Sequence, residues 1–379
     1  MPVTRRTLIG SFSSLALSGA VVTVTIRGTL AAAAQEASPL AGGEPIKVAF
    51  VYVSPIGDLG YTWAHDQGRL ALAAAMPNVE TVYQESVPEN PADAERVIRQ
   101  FADDGARIIF TTSFGYMDPT INVAKDYPET VFVHISGYKT AENVGTGFGK
   151  IEEPRYVSGM IAGEMTESNQ LGYVAAYPIP EVIRGINAFT RGVRQTNPEA
   201  TVRVVWTSTW FDPQKEWQAA EALLDGGADV IAQHQDTPGP QQAAAARGAY
   251  GVGYNADMGK LVPEAVLTSA VWNWGTFYID TVEQVLAGTW EPTAYWGGWK
   301  DNLVDLAPIG PMVPDEVRAA VEAEAEKFKS GEQTISTIFT GPINDQSGQE
   351  RVPAGTAMTD DELLSMDWFV EGVEGEIPS

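Results

Sequence analysis

Residues 90–111 read NPADAERVIRQFADDGARIIFT, and residues 212–233 read DPQKEWQAAEALLDGGADVIAQ. Each begins with an Asn or Asp able to cap a helix, followed by a Pro suited to the first helical position. Each amphipathic stretch then stops at a Gly, which ends helices in a left-handed conformation at no steric cost. An apolar run follows: Arg107-Ile108-Ile109-Phe110 in one copy, Asp229-Val230-Ile231-Ala232 in the other. The offset is 122 residues throughout, and Pro77 and Pro198 end the preceding helices at nearly the same spacing. The chain is duplicated.

Outward from these two copies, short β-branched runs alternate with amphipathic helical patterns. Strands are predicted at 47–53, 81–84, 107–112, 130–135, 172–176, 202–206, 229–233 and 265–270. Helices are predicted over 61–75, 91–103, 181–195 and 213–224. This alternation specifies an α/β protein with two doubly wound parallel-sheet lobes. The N-terminal lobe is expected over 46–165 and the C-terminal lobe over 166–275. Residues 276–379 would return across both lobes and form the C-terminal tail.

The first residues read as an export signal. Thr4-Arg5-Arg6-Thr7-Leu8-Ile9 precedes a small, weakly apolar stretch over 10–26, and Ala-rich residues follow Leu30. The paired arginines resemble a twin-arginine signal over 1–34, with cleavage expected near Ala33–Ala34 and a flexible tether over 35–45. Arg27 interrupts the apolar run, so a cleaved peptide fits better than a permanent span. Removing residues 1–34 takes three arginines and changes the formal charge from −25 to −28.

That charge, 49 Asp+Glu against 24 Lys+Arg, argues against nucleic-acid partners, because phosphate binding needs cationic side chains. With no Cys and only three His (His65, His134, His234), no metal or cofactor site is expected. Ten Trp, thirteen Tyr and thirteen Phe supply flat apolar surface instead.

Motifs of chemistry fail one by one. Gly251-Val252-Gly253-Tyr254-Asn255-Ala256 fits a loose G-x-G-x-x-A pattern, but no clear strand precedes it and no acidic ribose partner follows. Gly253 to Gly259-Lys260 is one residue too long for a P-loop, with Leu261 where Ser or Thr is needed. No G-x-S-x-G elbow occurs. The chain is therefore expected to bind rather than catalyse, although a hydrolase using paired carboxylates would leave no short motif.

Ligands of open parallel sheets bind beyond the carboxyl ends of the strands. The loops expected there carry rings beside polar groups: Asp58, Tyr61 and Thr62 after the first strand, and Phe114 and Tyr116 after the third. In the second copy they carry Glu181, Trp210, Asp236, Asn255, Trp272 and Trp274. Rings supply stacking and burial, while one or two carboxylates or amides fix orientation, which suits a small planar polar ligand.

Taken together, Lys47-Val48-Ala49-Phe50-Val51, Gly57-Asp58-Leu59-Gly60-Tyr61, Gly226-Gly227-Ala228-Asp229-Val230-Ile231, Gly253-Tyr254-Asn255-Ala256-Asp257 and Leu267-Thr268-Ser269-Ala270-Val271 resemble the basic membrane protein family. The resemblance covers about residues 46–300. It implies a type I periplasmic-binding-protein fold with a three-stranded hinge, serving an ABC importer that includes purine nucleoside receptors among its kin. It also implies a purine stacked against the ring at Tyr61, beside Asp58. Nucleoside receptors carry a ribose-binding lysine where this chain has Trp272, and an aspartate where it has Asn255. Those departures favour a free base such as adenine over a nucleoside. The expected protein is an exported, monomeric receptor that closes on its ligand and delivers it to permease subunits. Receptors for a nucleoside, sugar or amino-acid derivative are the alternatives. The usual lipid-anchoring cysteine is absent.

Overall fold

The computed structural model describes residues 45–57 and 59–378. The export signal, most of the tether and Asp58 lie outside the described residues. The first ten strands fall into two groups of five. β1 (Ile46–Val51), β2 (Val79–Gln84), β3 (Ala106–Thr111), β4 (Val131–Ile135) and β5 (Val144–Gly149) form the first. β6 (Gln170–Ala175), β7 (Thr201–Trp206), β8 (Val230–His234), β9 (Tyr250–Asn255) and β10 (Val266–Trp272) form the second. Later come β11 (Ala294–Gly297), β12 (Val304–Leu306), the hairpin β13 (Ile343–Asn344) and β14 (Glu350–Val352), and β15 (Val373–Glu374).

One sheet has the order β2-β1-β3-β4-β5-β11 and the other β15-β7-β6-β8-β9-β10-β12. Adding five to each label of 2-1-3-4-5 gives 7-6-8-9-10, so the sequence duplication is a duplication of topology. All pairings in these two sheets are parallel except β10 with β12. The chain passes from one sheet to the other between β5 and β6, between β10 and β11, and between β11 and β12. This is the type I periplasmic-binding-protein fold.

The helices that matter to the site are α1 (Tyr61–Ala75), α2 (Pro91–Asp103), α3 (Met117–Ala124), α4 (Glu152–Met165), α5 (Pro180–Thr196), α6 (Pro213–Asp225), α7 (Gly239–Ala246) and α8 (Trp274–Ala287). The boundaries of the duplicated pair α2 and α6 follow from capping. Asn90 accepts a hydrogen bond from the Asp93 amide at 3.0 Å, and Asp212 accepts one from the Lys215 amide at 3.1 Å. At the other ends Gly105 and Gly227 adopt φ of 80° and 97°, which a side chain would resist. Even the strained serines repeat: Ser86 and Ser208, again 122 residues apart, have φ of 56° and 55°.

Of the first ten strands, two escape sequence patterning because glycine replaces the β-branched residues that mark a strand. β5 reads VGTGFG and β9 reads YGVGYN. A side chain at Gly147 would enter the Phe277 ring, one at Gly149 would enter Trp272, and one at Gly251 would meet the Gln241 amide. The loose G-x-G-x-x-A run is thus β9 itself, its glycines making room for packing rather than for a phosphate.

Between the crossovers, α4 and α5 pack together around a buried ion pair. Arg184 Nε donates to Glu152 Oε1 at 2.6 Å, with side chains 2% and 0% exposed, and Arg184 Nη1 reaches the Leu363 carbonyl at 3.0 Å. Removing one member of such a pair strands the other charge in low dielectric. Arg184→Ala should therefore lower the unfolding free energy by roughly 3–5 kcal/mol, read from urea denaturation; a loss under about 1 kcal/mol would show that the pair holds nothing together.

Candidate functional site

The order 2-1-3-4-5 places a topological switch between β1 and β3, and its repeat places another between β6 and β8. Loops leaving those four strands, joined by residues after β4 and β7 and on β9, meet around a narrow cavity of about 20 Å³. From the first sheet come Tyr61 after β1, Ser113 and Phe114 after β3, and Ser136 after β4. From the second come Glu181 after β6, Trp210 after β7, His234 and Asp236 at the end of β8, and Tyr254 of β9.

Tyr61 opens α1. Its amide donates to Asp236 Oδ1 at 3.1 Å, placing a carboxylate at the positive end of the helix. A Cβ at Gly60 would run into the Asp236 backbone, so only glycine lets the two loops approach this closely. The same Asp236 oxygen accepts from Asn255 Nδ2 at 3.1 Å, and Asn255 Oδ1 accepts from Trp272 Nε1 at 2.9 Å. A relay of three side chains therefore runs from β10 to the N-terminus of α1.

A second contact joins the sheets through the duplicated loops after β2 and β7. Glu89 Oε2 accepts from Trp210 Nε1 at 3.1 Å, while Glu89 Oε1 accepts from the Ser113 hydroxyl and from the Gly115 amide at 2.9 Å. Phe114, between Ser113 and Gly115, lines the same cavity as Trp210. Phe114 takes part in none of the ring pairs found among the described residues.

The polar end of the cavity is built by Glu181 and His234. Glu181 is the second residue of α5, and its Oε1 lies 3.5 Å from His234 Nε2. Burial pushes the Glu181 carboxyl up to about 7, offset in part by Arg184 and Arg155. Burial, reinforced by the same two arginines, holds His234 well below the ordinary histidine value, so its ring is neutral. Tyr61 Oη and His234 Nδ1 are buried with no hydrogen-bond partner among the described residues. Arg155 supports the far wall: its guanidinium lies 4.0 Å from the Tyr254 ring centroid and donates to the Gln233 carbonyl at 3.0 Å.

Of the residues expected from sequence, Tyr61, Phe114, Glu181, Trp210 and Asp236 line the cavity. Asn255 and Trp272 form the relay behind it, and Trp272 stacks on Trp274 with centroids 4.8 Å apart. Thr62 is buried and accepts from the Ser54 amide at 3.2 Å, and Tyr116 is buried and donates to the Val87 carbonyl. Sequence reasoning passed over His234 and Ser136, which line the cavity, and Glu89, which holds Trp210; it met Tyr254 in the run to Asp257 but did not single it out. His234, Ser136 and Glu89 follow predicted strands, and Tyr254 lies on β9, which patterning missed; a search for rings in loops favours aromatic residues over a strand-end histidine or a lone glutamate. Among the described residues no group of three His, Cys, Asp or Glu could hold a metal ion. None of their helices is long and apolar enough to cross a membrane.

Comparison with known proteins agrees with this fold. Residues 46–347 match the Bmp family, ABC transporter substrate-binding protein PnrA-like. A purine-binding protein of Brucella abortus is 44% identical over 94% of this chain and 100% of its own length. A Haloferax volcanii protein, provisionally named an ABC transporter glucose-binding protein, is 46% identical over 89% of this chain and 82% of its own. The solved ABC transporter solute-binding protein of Conexibacter woesei superimposes with a TM-score of 0.62 at 25% identity, covering 76% of this chain and 98% of that one. The chain belongs to the Bmp family of ABC transporter substrate-binding proteins. As such it binds a small-molecule ligand and interacts with transporter permease subunits. The family works outside the cytoplasmic membrane, and the relatives are substrate-binding proteins rather than enzymes.

The raised Glu181 value has a definite sign for stability. An acid whose folded value exceeds its unfolded 4.5 costs nothing below pH 4.5 and costs most once pH passes the folded value. Glu181→Gln removes that cost. Its unfolding free energy relative to the parent should therefore rise by roughly 3 kcal/mol between about pH 4 and about pH 8. Denaturation at both pH values tests this, and an equal difference at each would show that the carboxyl is not desolvated.

Proposed function

We propose that this protein captures a free purine base, adenine in preference to nucleosides, and delivers it to the permease of an ABC importer. One observation carries the reading: rings from both sheets (Tyr61 and Phe114 from one, Trp210 and Tyr254 from the other) line one small cavity whose polar end is Glu181 with His234. Rings offer stacking to a flat heterocycle, and the carboxyl offers hydrogen bonds to its edge. The whole-length similarity to a purine-binding protein supports the same ligand class.

Preference for a base over a nucleoside rests on Trp272. Nucleoside receptors of the family have a ribose-binding lysine at this position. Here the indole is stacked on Trp274 and hydrogen-bonded to Asn255, so it is committed to the protein rather than to a sugar. Asn255, in place of an aspartate, is likewise committed, to Asp236.

Capture would proceed by closure of two lobes, residues 46–165 and 166–275, about the three crossings between the sheets. The Tyr61–Asp236 and Trp210–Glu89 hydrogen bonds join loops of opposite sheets and so favour the closed form. A ligand touching both sets of loops adds to that preference. Permease subunits would then read the closed arrangement.

A glucose site is the second reading, favoured by the name of the Haloferax relative. Intrinsic fluorescence separates the two, because Trp210 lines the cavity. Micromolar adenine should quench emission, whereas adenosine and glucose at the same concentration should not. Phe114→Ala should weaken adenine binding by about tenfold or more, since loss of one stacking ring costs about 1–3 kcal/mol. A response to glucose without one to adenine would overturn the purine reading.

A further inference from the structure

We propose that Glu181 selects among purine edges through its own proton. As a carboxylic acid it offers one donor and one acceptor, matching an amidine edge such as that of adenine. As a carboxylate it offers two acceptors, matching an edge with two N–H donors such as that of guanine. This rests on the purine reading above and assigns its specificity to one titrating residue.

The surroundings leave Glu181 free to hold either form. On its own helix, Arg184 is spent on Glu152 at 2.6 Å and on the Leu363 carbonyl. From α4, Arg155 donates through Nη1 to the Gln233 carbonyl and the Tyr173 hydroxyl while its guanidinium covers the Tyr254 ring; its Nε and Nη2 are buried with no hydrogen-bond partner among the described residues, and its charge favours the Glu181 carboxylate only from beyond ion-pair distance. No Lys or Arg among the described residues lies within ion-pair distance of Glu181. From β8, His234 stands 3.5 Å away. Its ring is kept neutral by burial and by the two arginines, so it does not take the proton. Tyr61 from α1 and Tyr254 from β9 face the group as hydroxyls whose own ionisation is pushed up by burial. Asp236, from the loop after β8, adds negative charge nearby, its Oδ1 already accepting from the Tyr61 amide and Asn255.

Glu181 is thus a nearly buried carboxyl, 13% exposed, on the wall of the ligand cavity, with Arg184 and Arg155 near enough to temper the effect of burial but neither in ion-pair contact. Desolvation then favours the neutral acid, and its midpoint of about 7 puts both forms within reach near neutral pH. A base that needs one form binds in proportion to the fraction of that form.

Equilibrium dialysis of the full chain with radiolabelled adenine and radiolabelled guanine, at about pH 6 and about pH 8, tests the proposal. Adenine should weaken and guanine tighten by about tenfold each over that interval. Glu181→Gln carries a fixed donor and acceptor. It should keep adenine binding at both pH values, lose the pH dependence, and bind guanine poorly throughout. Binding of both bases with a ratio that does not change with pH would overturn the proposal while leaving the purine reading intact. So would a Glu181→Gln protein that retains the parent's pH dependence. Failure of both bases to bind at either pH would instead remove the purine reading and this inference with it.

Discussion

The site depends on a hydrogen bond between the backbone amide of Tyr61 and the carboxylate of Asp236, 175 residues apart in sequence. It brings the N-terminus of α1 onto the end of β8, and so brings rings of one sheet opposite rings of the other. The contact is possible because Gly60 has no side chain to strike the Asp236 backbone. It is held in register by Asn255 and Trp272, which tie the same carboxylate back to β9 and β10. A carboxylate at a helix N-terminus is favourable on its own. Here it also determines which surfaces face the cavity.

Duplication explains why such a contact exists. Two copies of a 2-1-3-4-5 sheet each direct their switch-point loops outward, and the site forms where the two sets meet. The Glu89–Trp210 bond is a second product of the same geometry, joining the loop after β2 to its counterpart after β7. Neither half contains the site alone. Family members that bind different solutes can therefore share the fold and differ in a handful of loop residues.

Much of this was legible in the sequence where local chemistry decides structure. α1 and α2 run over the residues their patterns specify, and α6 begins at the residue after Asp212 because its cap does. Legibility fell where packing decides. β5 and β9 are strands whose glycines answer to Phe277, Trp272 and Gln241, partners distant in sequence. In the site, position in a loop identified Tyr61, Phe114, Glu181, Trp210 and Asp236, but direction was invisible. Trp272 and Trp274 follow the same loop rule, yet they stack on each other behind Tyr61. His234 gave no local pattern at all, because its partner Glu181 lies 53 positions upstream.

Under the proposed function, rings from both sheets enclose a flat heterocycle. The most direct measurement is mass spectrometry of the small molecule released when protein purified from its native source is denatured. The account predicts a purine base in near-stoichiometric amount. Release of a hexose or another non-aromatic solute instead would contradict it.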